Sequence, residues 1–223
     1  MNLRHMRPAR VIVFAAFAAL PMTPLAAATQ LKEETFFTRL PADTVAVTAG
    51  KYLAPGTRVP ADIQPFSEAT IEGGLADLQK IRNKAGEVVG FGIQLETWEP
   101  DATGKPKPEF ETTWTVVLPG RGTLFLYQTE NPAILFSKVG EARAAPQPWH
   151  GAIDERTTTG PGPGGAGIIV GGTGEFEGQT GTFIETNQFT SFGGGETGEN
   201  AAKGVDAAAG AVGSTTLILR YGQ

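Results

Sequence analysis

Four charged residues stand in the middle of stretches that alternate apolar and polar side chains: Glu96, Glu111, Glu185 and Arg220. Gln94, Tyr127 and Asn187 occupy comparable places as neutral hydrogen-bonding groups. A carboxyl group so placed has two fates. Facing water, it is an ordinary solvated anion, the usual condition of charged side chains. Facing an enclosed interior, it loses hydration, its pKa rises, and it becomes a general acid or base. Glu111 and Glu185 are the candidates for that catalytic role. Gln94, Glu96, Trp114, Tyr127 and Asn187 are the candidates for lining a ligand cavity. Glu111 comes first because it opposes the Phe110/Trp114 face of its strand, and Glu185 next because its strand follows a glycine-rich turn.

Other chemistries fit poorly. The chain has no cysteine, which removes disulfides, thiolate nucleophiles and Cys-ligated zinc. Of its two histidines, His5 lies in the N-terminal segment and His150 in a proline-rich stretch that offers little rigidity to a nucleophile–base pair. A catalytic zinc site usually takes three protein ligands. Glu196, Glu199 and Asp206 lack the spacing of a calcium loop and read as a solvated acidic segment. No metal and no cofactor are expected. The run Gly171-Gly172-Thr173-Gly174 after an apolar strand invites a dinucleotide-loop reading, which requires a helix next. Gly178 and Gly181 oppose that helix, since glycine costs a helix interior about 1 kcal/mol. The β-branched and aromatic residues Thr182–Thr186 suit a strand instead. A β-hairpin is expected here, with Gly171, Gly172, Gly174, Gly178 and Gly181 at its bends and Phe176 plugging the turn.

Met1–Ala28 reads as a signal peptide. Arg4, Arg7 and Arg10 precede an apolar run over Val11–Leu20, and Ala26-Ala27-Ala28 supplies small residues for cleavage. The run is too short for a permanent membrane helix, which needs about 20 residues. Export to the periplasm or the extracellular space after cleavage near Ala28 is expected, with no stable membrane insertion. Three of the 18 Lys and Arg leave with this segment and none of the 23 Asp and Glu, so the net charge moves from −5 to −8. An acidic chain without a basic stripe is a poor partner for nucleic acid.

The elements that must position the candidate residues are strands. Val88–Trp98 alternates Val89, Phe91, Ile93 and Leu95 with Gly90, Gly92, Gln94 and Glu96, and Phe110–Leu118 alternates again. Asp101–Pro108 and Pro119–Gly122 are turns, and Thr123–Gln128 is the next strand. Short turns between strands make an antiparallel meander, because parallel neighbours need long crossovers. Gly167–Gly171, Thr180–Phe189 and Ser214–Tyr221 continue the pattern. Residues 29–65 read as an irregular N-terminal segment punctuated by prolines, although Thr44–Thr48 has strand chemistry. Pro65–Leu78 reads as a loop with a short helical turn or strand, and Asn131–Ser137 as a further strand.

Gly171-Gly172-Thr173-Gly174-Glu175-Phe176-Glu177-Gly178, followed by Gly181, resembles the glycine segment shared by allene oxide cyclases and plant dirigent proteins. Phe110-Glu111-Thr112-Thr113-Trp114 with Gly122-Thr123-Leu124 looks like the preceding hairpin of the cyclases, and Thr215–Tyr221 stands where that family's closing strand would be. The resemblance covers about half the chain. It implies an all-β fold, an antiparallel up-and-down β-barrel of about eight strands over residues 66–223, with insertions at about 138–166 and 192–213. It also implies a cavity for a small, largely apolar molecule, and a homotrimer. No catalytic residue carries over, since the cyclases' N-terminal catalytic positions have no counterpart here. Two readings stay open: a cofactor-free cyclase or isomerase that orients a reactive substrate, and a non-catalytic small-molecule carrier or structural envelope module.

Overall fold

The computed structural model describes residues 31–40, 42–49, 73–99, 102–103, 107–144, 149–192 and 212–222. The proposed signal peptide and the acidic segment Glu196–Asp206 lie outside these residues. Eleven strands form one antiparallel sheet: β1 (Lys32–Leu40), β2 (Thr44–Ala49), β3 (Gly73–Arg82), β4 (Val88–Trp98), β5 (Phe110–Leu118), β6 (Gly122–Glu130), β7 (Trp149–Arg156), β8 (Thr158–Gly160), β9 (Gly167–Gly174), β10 (Thr180–Phe192) and β11 (Val212–Gly222). One helix, α1 (Ala133–Ala144), interrupts them.

Eight of these strands are the staves of a closed barrel. Read around the ring they run β1-β3-β4-β5-β6-β9-β10-β11, each beside its predecessor, and β11 returns to β1 from Lys32↔Tyr221 to Leu40↔Gly213. The seam between β1 and β3 is narrow: Phe37 pairs with Arg82, and the Thr38 hydroxyl donates to the Lys80 carbonyl at 2.9 Å. This is the all-β, up-and-down barrel expected from the alternating strands and the resemblance. Three shorter strands continue its wall. β2 pairs β3 beyond the seam, β7 pairs the far part of β10, and β8 pairs the end of β6.

Several expectations need correction. The segment 29–65 is not irregular over Lys32–Leu40 and Thr44–Ala49, where β1 closes the ring and β2 extends it. Of Pro65–Leu78, residues 73–78 take the strand alternative as the start of β3, and residues 65–72 lie outside the described residues. Asn131–Ser137 is not a strand, because Ala133 opens α1. The reason is a partner twenty residues away: the Glu155 carboxylate accepts the free amides of Ile134 and Leu135, both at 2.9 Å, and so caps the helix. The expected insertion 138–166 contains most of α1, then β7 and β8. Leu135 packs with Leu40, Trp149, Ile153 and Phe189 in a small cluster of its own.

The glycine hairpin is as expected, with no helix after Gly174. β9 and β10 pair through Gly181↔Ile169, and Phe176 is wholly buried in the turn between them. Gly174 has φ 61°, a conformation that favours glycine, and a Cβ on Gly172 would collide with Phe176. Around Phe176 the inward residues of this end are apolar: Ile81, Val116, Leu118, Leu124, Leu126, Ile169, Phe183, Leu217, Leu219 and Tyr221. Arg121 lies over the Phe176 ring at 5.0 Å, and Tyr221 meets it edge-on with centroids 5.9 Å apart. This end is plugged.

Part of the outer wall is also apolar. On β4 the hydrophobic face, Phe91, Ile93 and Leu95, points outward and stays exposed, while Gly90, Gly92 and Gln94 point inward. Register aligns Val45, Leu78, Ile93, Thr115 and Phe125 in one row across β2 to β6.

Candidate functional site

Strand parity decides what each candidate faces. The inward positions of β5 are Phe110, Thr112, Trp114, Val116 and Leu118, all buried. Glu111 therefore points out, and it is exposed. It lines an external groove of about 240 Å³ with Thr97, Glu99, Lys107 and Glu109. It is not an inward acid or base. Tyr127 also belongs to the outer face, beside Glu111, whose charge pushes the Tyr127 phenol up after burial does. Neither lines a cavity in the barrel. Arg220 faces solvent and pairs with Glu33 at 2.9 Å. The remaining candidates converge: Gln94, Glu96, Trp114, Glu185 and Asn187 all point into the half of the barrel away from Phe176.

That half is built from polar side chains. β3 supplies Asp77 and Gln79, β4 Gln94 and Glu96, β5 Thr112, β6 Gln128 and Glu130, β10 Glu185 and Asn187, and β11 Thr215. Thr157 and Thr158, at the β7–β8 connection, complete it. One chain of hydrogen bonds runs along β3 and β4. Gln79 Nε2 donates to Asp77 Oδ2 at 2.8 Å and to Gln94 Oε1 at 3.1 Å, and Gln94 Nε2 donates to Glu96 Oε1 at 2.8 Å.

A second network centres on Glu185. Its Oε2 accepts Gln128 Nε2 at 2.6 Å and the Trp114 indole Nε1 at 3.1 Å. Its Oε1 accepts Asn187 Nδ2 at 3.4 Å. Gln128 is fixed in turn, because its carbonyl accepts the Thr158 hydroxyl at 2.7 Å and its amide also donates to Glu130 at 2.7 Å. The Glu185 backbone amide donates to Thr158 Oγ1 at 2.7 Å, and Thr215 holds Asn187 Oδ1 at 2.6 Å. The side chain is thus oriented on both oxygens, with its donors themselves held by partners.

Electrostatically this half of the barrel is unusual. Asp77, Glu96, Glu130 and Glu185 share it, and no Lys, Arg or His is buried among the described residues. Burial pushes Glu185 well above the ordinary carboxylate range, and the charge of Glu130 pushes it further, against the pull of Gln128, Trp114 and Asn187. Glu96 is raised for the same reasons, burial first and then Glu130, Asp77 and Glu185. Some of its surface reaches solvent, but its carboxylate is enclosed by protein. Burial raises Glu130 too, opposed by the hydrogen bond from Gln128 at 2.7 Å. Asp77 is pushed up to about 7. Like charges this close in a poorly hydrated space cannot all ionise near neutral pH, so protons are retained on the group. The arrangement can hold a carboxylic acid protonated and aimed, as general acid catalysis requires.

Asp77, Gln79, Gln128 and Glu130 escaped the sequence reading. The β3 pair is hidden because the stretch through Leu78 does not read as one clear strand, and Glu130 lies two residues past the expected end of its strand. Parity from Leu124, Leu126 and Gln128 onward would have found it.

Comparison with protein-family models and with curated proteins gives no match for this chain. Among the described residues, no helix is long and apolar enough to cross a membrane.

Proposed function

We propose that the chain is an exported barrel of the allene oxide cyclase and dirigent type, which binds a small, largely apolar molecule in the polar half of its interior. There it acts as a cofactor-free cyclase or isomerase. Glu185 is the proton donor, and the nearby charge of Glu130 helps to keep it protonated, against the N–H bond from Gln128. The observation that carries this reading is the buried Glu185 carboxyl, raised by its surroundings and clamped by Trp114, Gln128 and Asn187. An acid held in that way protonates a substrate atom without metal or cofactor, and an enclosing wall supplies orientation worth several kcal/mol. The glycine hairpin and the eight-stave ring support the family assignment. The arginine-led leader Met1–Ala28 supports export.

The chemistry is tested with Glu185→Gln, which keeps the shape and one acceptor oxygen for Gln128 and Trp114, but has no acidic proton and turns a second donor toward Asn187 Nδ2. Native mass spectrometry of the purified chain identifies any co-purified molecule and the subunit number. With that molecule or its precursor as substrate, the variant is expected to retain binding and to lose at least 100-fold in turnover. Retained turnover sinks the acid role. A bound molecule with no turnover in either protein favours the carrier. The exposed row of Val45, Leu78, Ile93 and Phe125 supports self-association, by resemblance as a homotrimer.

A further inference from the structure

The polar half of the barrel has a surplus of acceptors. Most of its N–H donors are engaged: both Gln79 bonds, both Gln128 bonds and both Asn187 bonds end on oxygens of the network, the Trp114 N–H ends on Glu185 and Gln94 donates to Glu96, while the Thr112 hydroxyl on β5 has no partner. Yet Asp77 Oδ1 and Gln79 Oε1 are buried and accept nothing. Asp77 is only 9% exposed and Gln79 only 3%. A buried acceptor without a donor is costly, so two on neighbouring inward residues of β3 mark a place where a donor is missing. The carboxyl groups facing the same space are Glu96 from β4, Glu130 from β6 and Glu185 from β10, and no buried basic side chain among the described residues balances them. A bare divalent ion is a poor answer. Among the described residues no three His, Asp or Glu side chains come together as a metal site.

Resting on the small-molecule reading above, we infer that the ligand is an organic amine, whose primary ammonium group donates to Asp77 Oδ1 and Gln79 Oε1 while its apolar body lies toward Trp114 and Ile81. An ammonium brings three donors and the missing positive charge. The neighbouring wall suits its apolar portion. Phe36, Ile81, Trp114 and Leu217 meet Thr38, Gln79 and Thr215 around a gap too narrow to hold a water molecule, so this wall must part to admit an apolar body. Binding a cation also favours the ionised carboxylates, so the site releases protons as it fills, and affinity rises with pH up to the value of about 7 held by Asp77 in the empty site.

The test is isothermal titration of the full chain with three probes of one length, n-hexylammonium, n-hexanol and hexanoate, at pH 6 and pH 8, with calcium chloride as a fourth. Expected is one hexylammonium site per chain, at least 10-fold tighter at pH 8, with a heat that varies between buffers as proton release demands. Asp77→Asn, which keeps the shape, is expected to weaken that binding at least 10-fold. Glu175→Gln, at the plugged end, is expected to leave it unchanged. Hexanol binding as well as hexylammonium, with Asp77→Asn indifferent, overturns the amine and leaves the small-molecule reading standing. Calcium binding more tightly than hexylammonium overturns it in favour of a metal. Absence of binding by all four probes overturns the amine also, while a co-purified neutral molecule seen by mass spectrometry would keep the wider reading alive.

Discussion

The two ends of this barrel treat charge in opposite ways. At the plugged end, opposite charges meet at the surface. Arg121 bridges Glu34 and Glu175, each at 2.8 Å, Lys32 joins both acids, and the Tyr221 hydroxyl donates to Glu34 at 2.9 Å. Beneath them lies an apolar core. At the other end, like charges are gathered inside, with amides and hydroxyls between them and no buried cation among the described residues. The first arrangement is what stability alone selects. The second costs stability, since each buried carboxyl must either keep its proton or stand near another negative charge. One half of the molecule serves as its foundation, and the strained half is where chemistry is to be sought.

The contrast breaks most sharply at Phe176. Its replacement by Ala leaves a void beneath Arg121 and Tyr221 and is expected to cost about 3–5 kcal/mol, read as a lowered midpoint in chemical denaturation. A loss under 1 kcal/mol would mean that the plug does not carry the fold.

Acidity is the next lever, and its sign follows from the directions of the shifts. Asp77, Glu96, Glu130 and Glu185 have folded pKa values raised above their unfolded ones, so their contribution is complete below about pH 4 and is lost as pH rises through the folded values, about 7 for Asp77. Asp43, held by Arg82, and the acids around Arg121 are lowered, so theirs is present above about pH 4 and lost below it. Thermal unfolding is therefore expected at a temperature about 5–10 °C higher at pH 5 than at pH 8, falling again below pH 4. A flat profile between pH 5 and 8 would refute the buried acidic group. The smallest effect belongs to Glu111→Gln, which should change neither ligand binding nor stability beyond about 0.5 kcal/mol, measured by titration and denaturation.

The sequence disclosed the staves where two faces differ strongly. On β5, Phe110, Trp114, Val116 and Leu118 share one parity, and on β10 Phe183 shares it with Glu185 and Asn187, so the inward placing of Glu185 was legible. The same rule applied strictly to β5 would have turned Glu111 outward. β4 misleads a simple reading for another reason: its apolar face looks out, and its inward face is glycine and amide, because Ile81 and Trp114 already occupy the space beside Gly92. What stayed hidden depends on distant partners. α1 begins with Ala-Ile-Leu-Phe, good strand chemistry, and becomes helical under the Glu155 cap. β1 gains its place from β11, some 180 residues later in the chain.

That last pairing governs how the molecule comes into being. Until β11 arrives, β1 and β10 are two bare rims whose amides and carbonyls invite any extended peptide, and no earlier stave can cover them. The cylinder is therefore completed by a late strand with an early one, in a single long-range step that follows the slow, non-local course of such topologies. A chain cut short after Phe192 retains every residue of the acidic group yet has no sealed wall around it.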